Sequence, residues 1–320
     1  MTAESHRSRV ALCFGLVYVL WGSTYLAMRI AVRDFPPYVA GAVRYLAAGP
    51  IMLAFCALVG RRIRINRHDL LRLLGIGVLL LCLGNIGVLW GEEYVASGYA
   101  ALIVALLPIW VVIIETWILR DGRMSRQGFF GLALGICGLL ILLWPRLTAG
   151  THLGHLELIG TGILGVGSFC WALGSVASSR WEVSVDVFSS AAWQMTLAGI
   201  INLAVAALTG QLRHTRWTAP AFESIGYLVI FGSWIGFSAY IWLLEHVPTP
   251  KVATYTYINP IVALFLGWLL LKEKVDAYML VGTAIIIGSV ALVNTSKLKP
   301  VKSSGQEQRA EFPITNMAGD

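Results

Sequence analysis

Apolar stretches about as long as a bilayer-spanning helix recur along the whole chain and are separated by short polar loops. A helix needs ~20 predominantly apolar residues to cross the hydrocarbon core of a membrane. Helices of a water-soluble domain carry a polar face, so repeated apolar stretches of this length exclude a soluble fold. The sequence predicts an all-α membrane protein with ten transmembrane helices. They are placed at residues 10–31, 38–59, 70–90, 96–119, 127–144, 156–178, 187–209, 222–244, 251–271 and 277–294.

Composition agrees with a membrane environment and restricts the possible functions. Of the 320 residues, 57% are apolar and only 13% are charged. The loops are short, which leaves no room for a soluble catalytic or nucleotide-binding domain. The basic stretch before the first span is typical of a signal peptide, but the span is too long and no small-residue cleavage site follows it. Residues 1–9 are therefore predicted to be a cytoplasmic segment that precedes the first helix.

The formal net charge of +7 follows membrane topology and forms no dense patch of the kind that binds nucleic acid. With the N-terminus inside, the inner segments carry sixteen lysines and arginines, whereas the outer loops carry six. Cytoplasmic loops of membrane proteins are enriched in these residues. We therefore expect a multi-pass protein of the inner membrane with both termini in the cytoplasm. The polar tail at 296–320 is predicted to be disordered.

The two halves of the sequence resemble each other at a shift of 150 to 152 residues. Each half contains five predicted spans, and because five is odd, the second half must cross the membrane in the opposite sense. The sequence thus predicts two inverted five-helix repeats, at 10–145 and 156–295, of the kind that rock around a site near the midplane. The matching pairs include Gly15 and Gly165, Trp21 and Trp171, Glu93 and Glu245, and Pro108 and Pro260.

Two prolines, Pro108 and Pro260, occupy equivalent positions near the middle of spans four and nine. Each removes one helical hydrogen bond and frees a carbonyl, which belongs to Val104 in the first half and to Thr256 in the second. In a membrane the freed carbonyl must face protein, water or a ligand. Taken singly, either proline fits a packing kink as well as a substrate contact. Their symmetric placement favours a shared hinge.

Polar and aromatic side chains at mid-depth in several spans are candidates for lining a substrate cavity. Aromatic residues also form belts at the membrane interface, but the tryptophans of spans one and six lie about halfway along their helices. Tyr255 and Asn259 are four residues apart and therefore share one face of span nine beside its proline. The candidates are Trp21, Thr24, Trp171, Ser175, Tyr255, Tyr257 and Asn259.

Arg44 lies six residues into span two, roughly 9 Å below the surface at ~1.5 Å per residue. An unpaired cation at the centre of a membrane costs on the order of 3 kcal/mol. The side chain either snorkels towards the interface or faces the cavity and attracts a carboxylate of the substrate. Its repeat mate is Gln194, which is polar but uncharged, so a site formed between them would be electrostatically asymmetric.

Two further polar residues within the spans allow two interpretations each. Asn85 in span three serves either as a hydrogen bond between helices or as a ligand contact. Glu115, near the inner end of span four, either pairs with Arg120 or Arg123 at the interface or couples transport to protons. We favour the first interpretation for both residues and keep the second as a hypothesis.

The sequence lacks the residues that membrane-embedded enzymes and ATP-driven pumps need. All histidines and aspartates fall in predicted loops or tails, so neither a metal centre nor an intramembrane protease is expected. No glycine-rich phosphate-binding loop with its lysine is present. We expect no enzyme activity, no cofactor and no bound metal. Uphill transport must then draw on an ion gradient, with protons as one candidate, or on a partner.

Several short motifs occur in an order and spacing that together are specific, although each alone is weak. They are Trp21-Gly22-Ser23-Thr24-Tyr25, Arg44-Tyr45-Leu46-Ala47-Ala48-Gly49 after the Pro36-Pro37 turn, the mid-span Pro108, and Asn259-Pro260 running to Leu271-Lys272-Glu273-Lys274. Over roughly residues 10–295 the chain resembles the EamA-type members of the drug/metabolite transporter superfamily. One departure is Asp121, at a position where that family has glutamate.

The resemblance implies export of amino acids, drugs or other metabolites through a central cavity lined by aromatic and polar residues. Our first hypothesis is a gradient-driven exporter of small organic solutes that works by alternating access. A passive facilitator or channel on the same fold is the alternative. The lack of histidine and aspartate within the predicted spans disfavours a membrane-embedded enzyme. The lack of a soluble output domain disfavours a sensor. The substrate, the coupling ion and the choice between monomer and homodimer stay open.

Overall fold

A computed structural model of the protein describes residues 3–120, 122–123, 125–148, 152–295 and 299–300. These residues are helical apart from short connections and one small β-bridge. In that bridge Gly122–Arg123 pairs antiparallel with Lys299–Pro300. Apart from this short strand, the predicted tail at 296–320 lies outside the described residues, and so does Asp121.

Helical segments lie at the predicted positions, and their ends differ from the predicted ones by at most four residues, with one exception. The first helix begins at residue 3 instead of residue 10, so most of the predicted segment 1–9 is part of this helix and does not precede it. They are α1 (3–31), α2 (Pro37–Leu58), α3 (Arg67–Gly91), α4 (Ser97–Ile118), α5 (Arg126–Thr148), α6 (His152–Arg180), α7 (Val187–Leu208), α8 (Ala219–His246), α9 (249–271) and α10 (Ala277–Thr295). Within the described residues, seven of them are long and apolar enough to cross a membrane, namely α1 to α4 and α6 to α8. The apolar parts of the other three are shorter, at Arg126–Leu142, Asn259–Leu271 and Ala277–Ser289. The protein is thus an all-helical, multi-pass membrane protein, while ten spans and their inverted arrangement stay predictions.

Local sequence signals explain where several helices begin. The Asn66 side chain accepts a hydrogen bond from the Asp69 amide at 2.7 Å and caps α3. Asp186 caps α7 by accepting from the Phe188 amide at 3.0 Å. Pro37 occupies the first position of α2, where the missing amide hydrogen costs nothing. The polar connections therefore both interrupt the apolar stretches and stabilise the helix ends.

Large apolar side chains remain exposed on the outside of the bundle. Leu58 and Leu208 are 86% and 88% exposed, and Phe55, Phe129 and Trp268 are also exposed. In a water-soluble monomer such a surface would be an aggregation hazard, whereas lipid tails solvate it at no cost. The exposed apolar surface therefore fits the bilayer, whereas a set of polar side chains that includes Thr24, Arg44 and Asn85 is buried inside the bundle.

Helices at equivalent positions of the two halves pack against each other, α2 on α7 and α5 on α10. Glycines permit the close approach of α2 and α7. A Cβ atom on Gly49 would lie 2.9 Å from the Thr196 Cα, and one on Gly199 would lie 2.9 Å from the Leu46 amide nitrogen. Gly49 and Gly199 match at the 150-residue shift, so each half contributes the same small residue to the same contact.

Several helices depart from regular α geometry at mid-depth. Widened π-helical turns occur at Val17–Trp21, Val78–Gly84 and Leu228–Phe237. The helical course of α4 is interrupted just before Pro108, and a 3₁₀ turn at Ala253–Tyr257 precedes Pro260 in α9. Such irregular backbone is tolerated inside a membrane only where protein or a cavity faces it. Each of these breaks contributes a residue to one central cavity or directly adjoins it, and the break before Pro260 does so through Tyr255.

Candidate functional site

The helices enclose a cavity of about 50 Å³ in the middle of the bundle. A cavity holds one water for roughly every 10–15 Å³, so this cavity has room for a few waters or a small polar group. Its walls come from α1, α2, α3, α4, α6, α8 and α9, and thus from both halves of the chain. The sequence-predicted candidates that line it are Trp21, Thr24, Arg44, Asn85, Trp171, Tyr255 and Asn259.

Arg44 brings a positive charge to the cavity wall. Its side chain is 5% exposed, and its Nε donates to the Ser233 hydroxyl at 2.9 Å. Its Nη1 donates to Asn85 Oδ1 at 3.2 Å, and its guanidinium lies 5.1 Å from the centre of the Tyr45 ring. The structure therefore places the guanidinium in the cavity and not at the membrane interface. Both hydrogen-bond acceptors are neutral, so they orient the charge without balancing it.

No carboxylate pairs with Arg44 among the residues that the structure describes. A buried charge without an ionic partner is unfavourable, and in membranes such charges mark pathways for substrates or ions. The cavity therefore carries a net positive potential. An anionic group of a bound molecule has the charge needed to balance the Arg44 guanidinium.

Aromatic rings from α1, α6, α8 and α9 form one wall of the cavity. The ring centre of Trp21 lies 4.7 Å from that of Tyr240 and 5.1 Å from that of Tyr255. It lies 5.5 Å from that of Trp171, in an edge-to-face arrangement. Trp21 Nε1 donates to the Gly232 carbonyl at 3.1 Å, which ties α1 to α8. These contacts join the helices that form the wall, and its rings offer flat apolar surface beside the charge of Arg44.

The break in α9 brings two polar residues to the cavity. Tyr255 contributes its ring to the aromatic wall, and Asn259 is 1% exposed. In the orientation that its neighbours require, the Asn259 amide nitrogen donates to the carbonyls of Tyr18 at 3.0 Å and Tyr255 at 3.2 Å. The Thr24 hydroxyl on α1 donates to the Trp21 carbonyl at 2.7 Å. The side chain of Tyr257 lies outside the described part of the chain.

Three other predicted residues lie away from the cavity. The Ser175 hydroxyl is 2.5 Å from that of Tyr240 and donates to the Trp171 carbonyl at 2.6 Å, so it supports the aromatic wall from behind. The Gln194 amide donates to the Ser190 hydroxyl at 3.1 Å, one turn earlier in α7. Glu115 is half-buried near the inner end of α4. Their functional roles stay predictions.

Two residues that sequence reasoning missed, Ser233 and Tyr240, both belong to α8. Ser233 accepts from Arg44, and the Tyr240 hydroxyl accepts from Trp171 Nε1 at 3.0 Å. They are seven residues apart, which in a helix places them near one face, two turns from each other. That spacing of polar groups within an apolar stretch is the signal that could have identified them.

The sequence profile of the EamA-like transporter family matches the chain twice, at residues 9–144 and 158–295. The chain belongs to the EamA-like transporter family. This result confirms the resemblance inferred from the motifs. Together the two matches include every residue of the cavity described above.

Relatives of this EamA-like protein are named as transporters. It is 33% identical over 288 residues to the uncharacterized inner membrane transporter YedA of Escherichia coli K12, covering 89% of this chain and 91% of YedA. It is 25% identical over 280 residues to the uncharacterized transporter YoaV of Bacillus subtilis, covering 87% and 94%. A solved crystal structure matches with a TM-score of 0.66 and 18% identity over 95% of this chain and 99% of the other, which shows likeness of fold alone. Family and relatives thus indicate a membrane transporter.

Proposed function

We propose that this EamA-like protein is a secondary transporter of the inner membrane that exports small organic solutes bearing a carboxylate, amino acids or related compounds. The observation that carries the proposal is the Arg44 guanidinium, which is buried in an aromatic cavity and has only neutral partners among the described residues. A carboxylate accepts two parallel hydrogen bonds from a guanidinium. The adjoining rings suit the apolar part of such a solute.

Alternating access is the proposed mechanism, with α4 and α9 as the hinged elements. Pro108 and Pro260 occupy equivalent places, and the helical course is interrupted directly before each of them. An interrupted helix bends at lower cost than a continuous one because a backbone hydrogen bond is already missing. Rocking of the two repeats about these breaks would expose the cavity to one side and then to the other.

The proposed orientation places both termini in the cytoplasm of the cell, following the distribution of lysine and arginine. The inner-membrane location is supported by the name of YedA and by the seven helices that are long and apolar enough to span a bilayer. In this orientation the loop after α3 and the loop after α9 lie on the outer side. Coupling to protons through Glu115 stays the less favoured of its two interpretations, and it predicts slower coupled efflux in Glu115→Gln.

Efflux from proteoliposomes that contain the purified chain tests the proposal. The probes are a radiolabelled N-acetyl amino acid and its amide, which is uncharged because it lacks the carboxylate, each measured with and without a pH gradient. Arg44→Gln should reduce efflux of the carboxylate compound by at least ~10-fold more than that of the neutral one, because about 1.4 kcal/mol of lost pairing is a tenfold effect.

The matched control is Arg213→Gln, which removes an arginine from an exposed position outside the cavity. It should leave both rates unchanged. If Arg44→Gln reduces the efflux of both compounds equally, at equal protein level, Arg44 does not recognise the carboxylate. Efflux that persists unchanged without the gradient would support the passive facilitator instead of the coupled exporter.

A further inference from the structure

Glu92 is a buried acid at the outer end of the bundle, directly after α3. Its side chain is 0% exposed, and neither of its carboxylate oxygens has a hydrogen-bond partner among the described residues. The nearby Arg29 guanidinium donates instead to the main-chain carbonyl of Glu92. An ionised Glu92 would not be stabilised here, because none of the described residues donates a hydrogen bond to its carboxylate.

The charged and titratable groups that face Glu92 come from the helices packed around it. Tyr25 and Arg29 approach from α1, and Glu273 approaches from the loop after α9. The Glu273 carboxylate accepts from the Ser97 amide at 3.1 Å and from the Ser97 hydroxyl at 2.8 Å, at the start of α4. α1, α3, α4 and the end of α9 therefore meet at this point and exclude water from Glu92.

Charge balance also disfavours an anionic Glu92. The cluster contains two carboxylates and one guanidinium, and Glu273 already has two donors from Ser97. Burial is the largest influence and raises the pKa of Glu92 well above its usual range. The positive charge of Arg29 opposes this effect, and the negative charge of Glu273 adds to it. A carboxyl group in these surroundings is favoured in its neutral form.

We infer that Glu92 is a proton-binding site that couples closure of the outer end of the transporter to the uptake of one proton. When the outer end is closed, as here, the carboxyl group holds the proton. When α3 parts from α1 and from the end of α9, water reaches the carboxylate and the proton leaves to the outer solution. The inference rests on the proposed function for two statements, that this end of the bundle faces outward and that it opens during alternating access.

The sign of the pH dependence follows by linkage. Glu92 has a higher pKa in the closed state than in the open, hydrated state, so protonation favours closure. Closure is therefore promoted as pH falls through the closed-state pKa, and the effect saturates below the open-state pKa. Each unit between the two values changes the ratio of closed to open molecules about tenfold.

Infrared titration of the full chain in nanodiscs tests the protonation itself. The parent should show the carbonyl band of a protonated carboxyl group at a pH where ordinary glutamates are ionised, and Glu92→Gln should lose the intensity of one such group. Burial also raises the pKa of the next residue, Glu93, so the matched control is Glu223→Gln, which changes an exposed glutamate near the start of α8 and should keep the full band. A band of undiminished intensity in Glu92→Gln overturns the inference.

Distance measurement between two spin labels tests the coupling to closure. The labels are attached through His155→Cys and Lys274→Cys, which are both exposed at the outer end. The first site is on α6, which packs on α3, and the second follows directly after α9. In a background with the native cysteines replaced by alanine, the closed population should rise as pH falls from about 8 to about 5. Glu92→Gln should abolish this dependence, whereas Glu223→Gln and Arg44→Gln should retain it.

A closed population that does not change with pH in the parent, or that titrates unchanged in Glu92→Gln, overturns the coupling. If Glu92→Gln does not fold, Arg29→Gln provides a second test, because loss of the opposing positive charge should move the midpoint to higher pH. An unmoved or lowered midpoint contradicts the inference. Neither measurement requires a transported solute, so failure of this inference and failure of the proposed function are separately visible.

Discussion

The substitution Asn85→Asp places a carboxylate beside Arg44, which has only neutral hydrogen-bond partners among the described residues. Asn85 Oδ1 already accepts from Arg44 Nη1 at 3.2 Å, and aspartate has nearly the same shape as asparagine. The substitution therefore converts a neutral acceptor into a carboxylate that is in contact with the guanidinium. We expect the two side chains to form an ion pair in the wall and the net positive charge of the cavity to disappear.

The expected loss of affinity follows from the strength of the competing contact. A hydrogen bond to a charged group contributes about 1.5–3 kcal/mol, and a substrate carboxylate must now displace it. Because about 1.4 kcal/mol corresponds to a tenfold change, the Kd for carboxylate-bearing solutes should rise by roughly 10- to 100-fold. Uncharged analogues do not use this contact, so their Kd should change by less than about threefold.

Isothermal titration of the purified protein with a carboxylate solute and its neutral analogue measures both changes. Asn85→Leu is the control, because it removes the acceptor but leaves the charge of Arg44 uncompensated. Thermal unfolding of each variant shows whether the fold is preserved, and Asn85→Asp should have a Tm no lower than that of the parent. If Asn85→Asp weakens the binding of both ligands equally while the fold is intact, the proposal that the charge of Arg44 selects carboxylates is refuted.

Two further predictions concern the packing and the breaks of the helices. Gly49→Ala should lower the free energy of unfolding by about 1–3 kcal/mol, because its Cβ would meet the Thr196 backbone; thermal unfolding should show no such loss for Gly165→Ala, whose Cβ has no atom within 4 Å. Pro108→Ala restores an amide donor at the break in α4 and should slow efflux while leaving substrate Kd unchanged. Pro145→Ala, in a helix that does not line the cavity, is its control, and an unchanged efflux rate in Pro108→Ala would argue against a hinge there.

The positions of the helices could be predicted from the sequence because apolar length alone fixes them. The sequence predicts the seventh span at 187–209, and the helix runs from Val187 to Leu208. The interruptions were only partly predictable. Proline marks the breaks in α4 and α9, since it removes a backbone donor. The π-helical turns at Val17–Trp21 and Leu228–Phe237 contain no proline, and they depend on contacts between helices that a single sequence does not reveal.

The candidate site was predictable where a residue's chemistry conflicts with its depth. A charge at Arg44 or an amide at Asn85 is conspicuous in an apolar span, and both line the cavity. Glu92 gave no such signal, because the sequence places it in a loop between spans, where an acid is normally solvated. Its burial results from the meeting of α1, α3, α4 and the end of α9, which is a tertiary property.

Equivalent positions in the two halves share backbone geometry but not chemistry. Gly49 and Gly199 make matching close contacts between α2 and α7, so both halves need a small residue at that point. Five residues earlier in each helix, Arg44 reaches across to Ser233, whereas Gln194 bonds within its own helix. Gln194 lies away from the cavity, so Arg44 is the member of this pair that brings charge to its wall. One guanidinium in the wall matches one carboxylate of a bound solute, because a single pair of opposite charges attracts strongly where screening by water is weak.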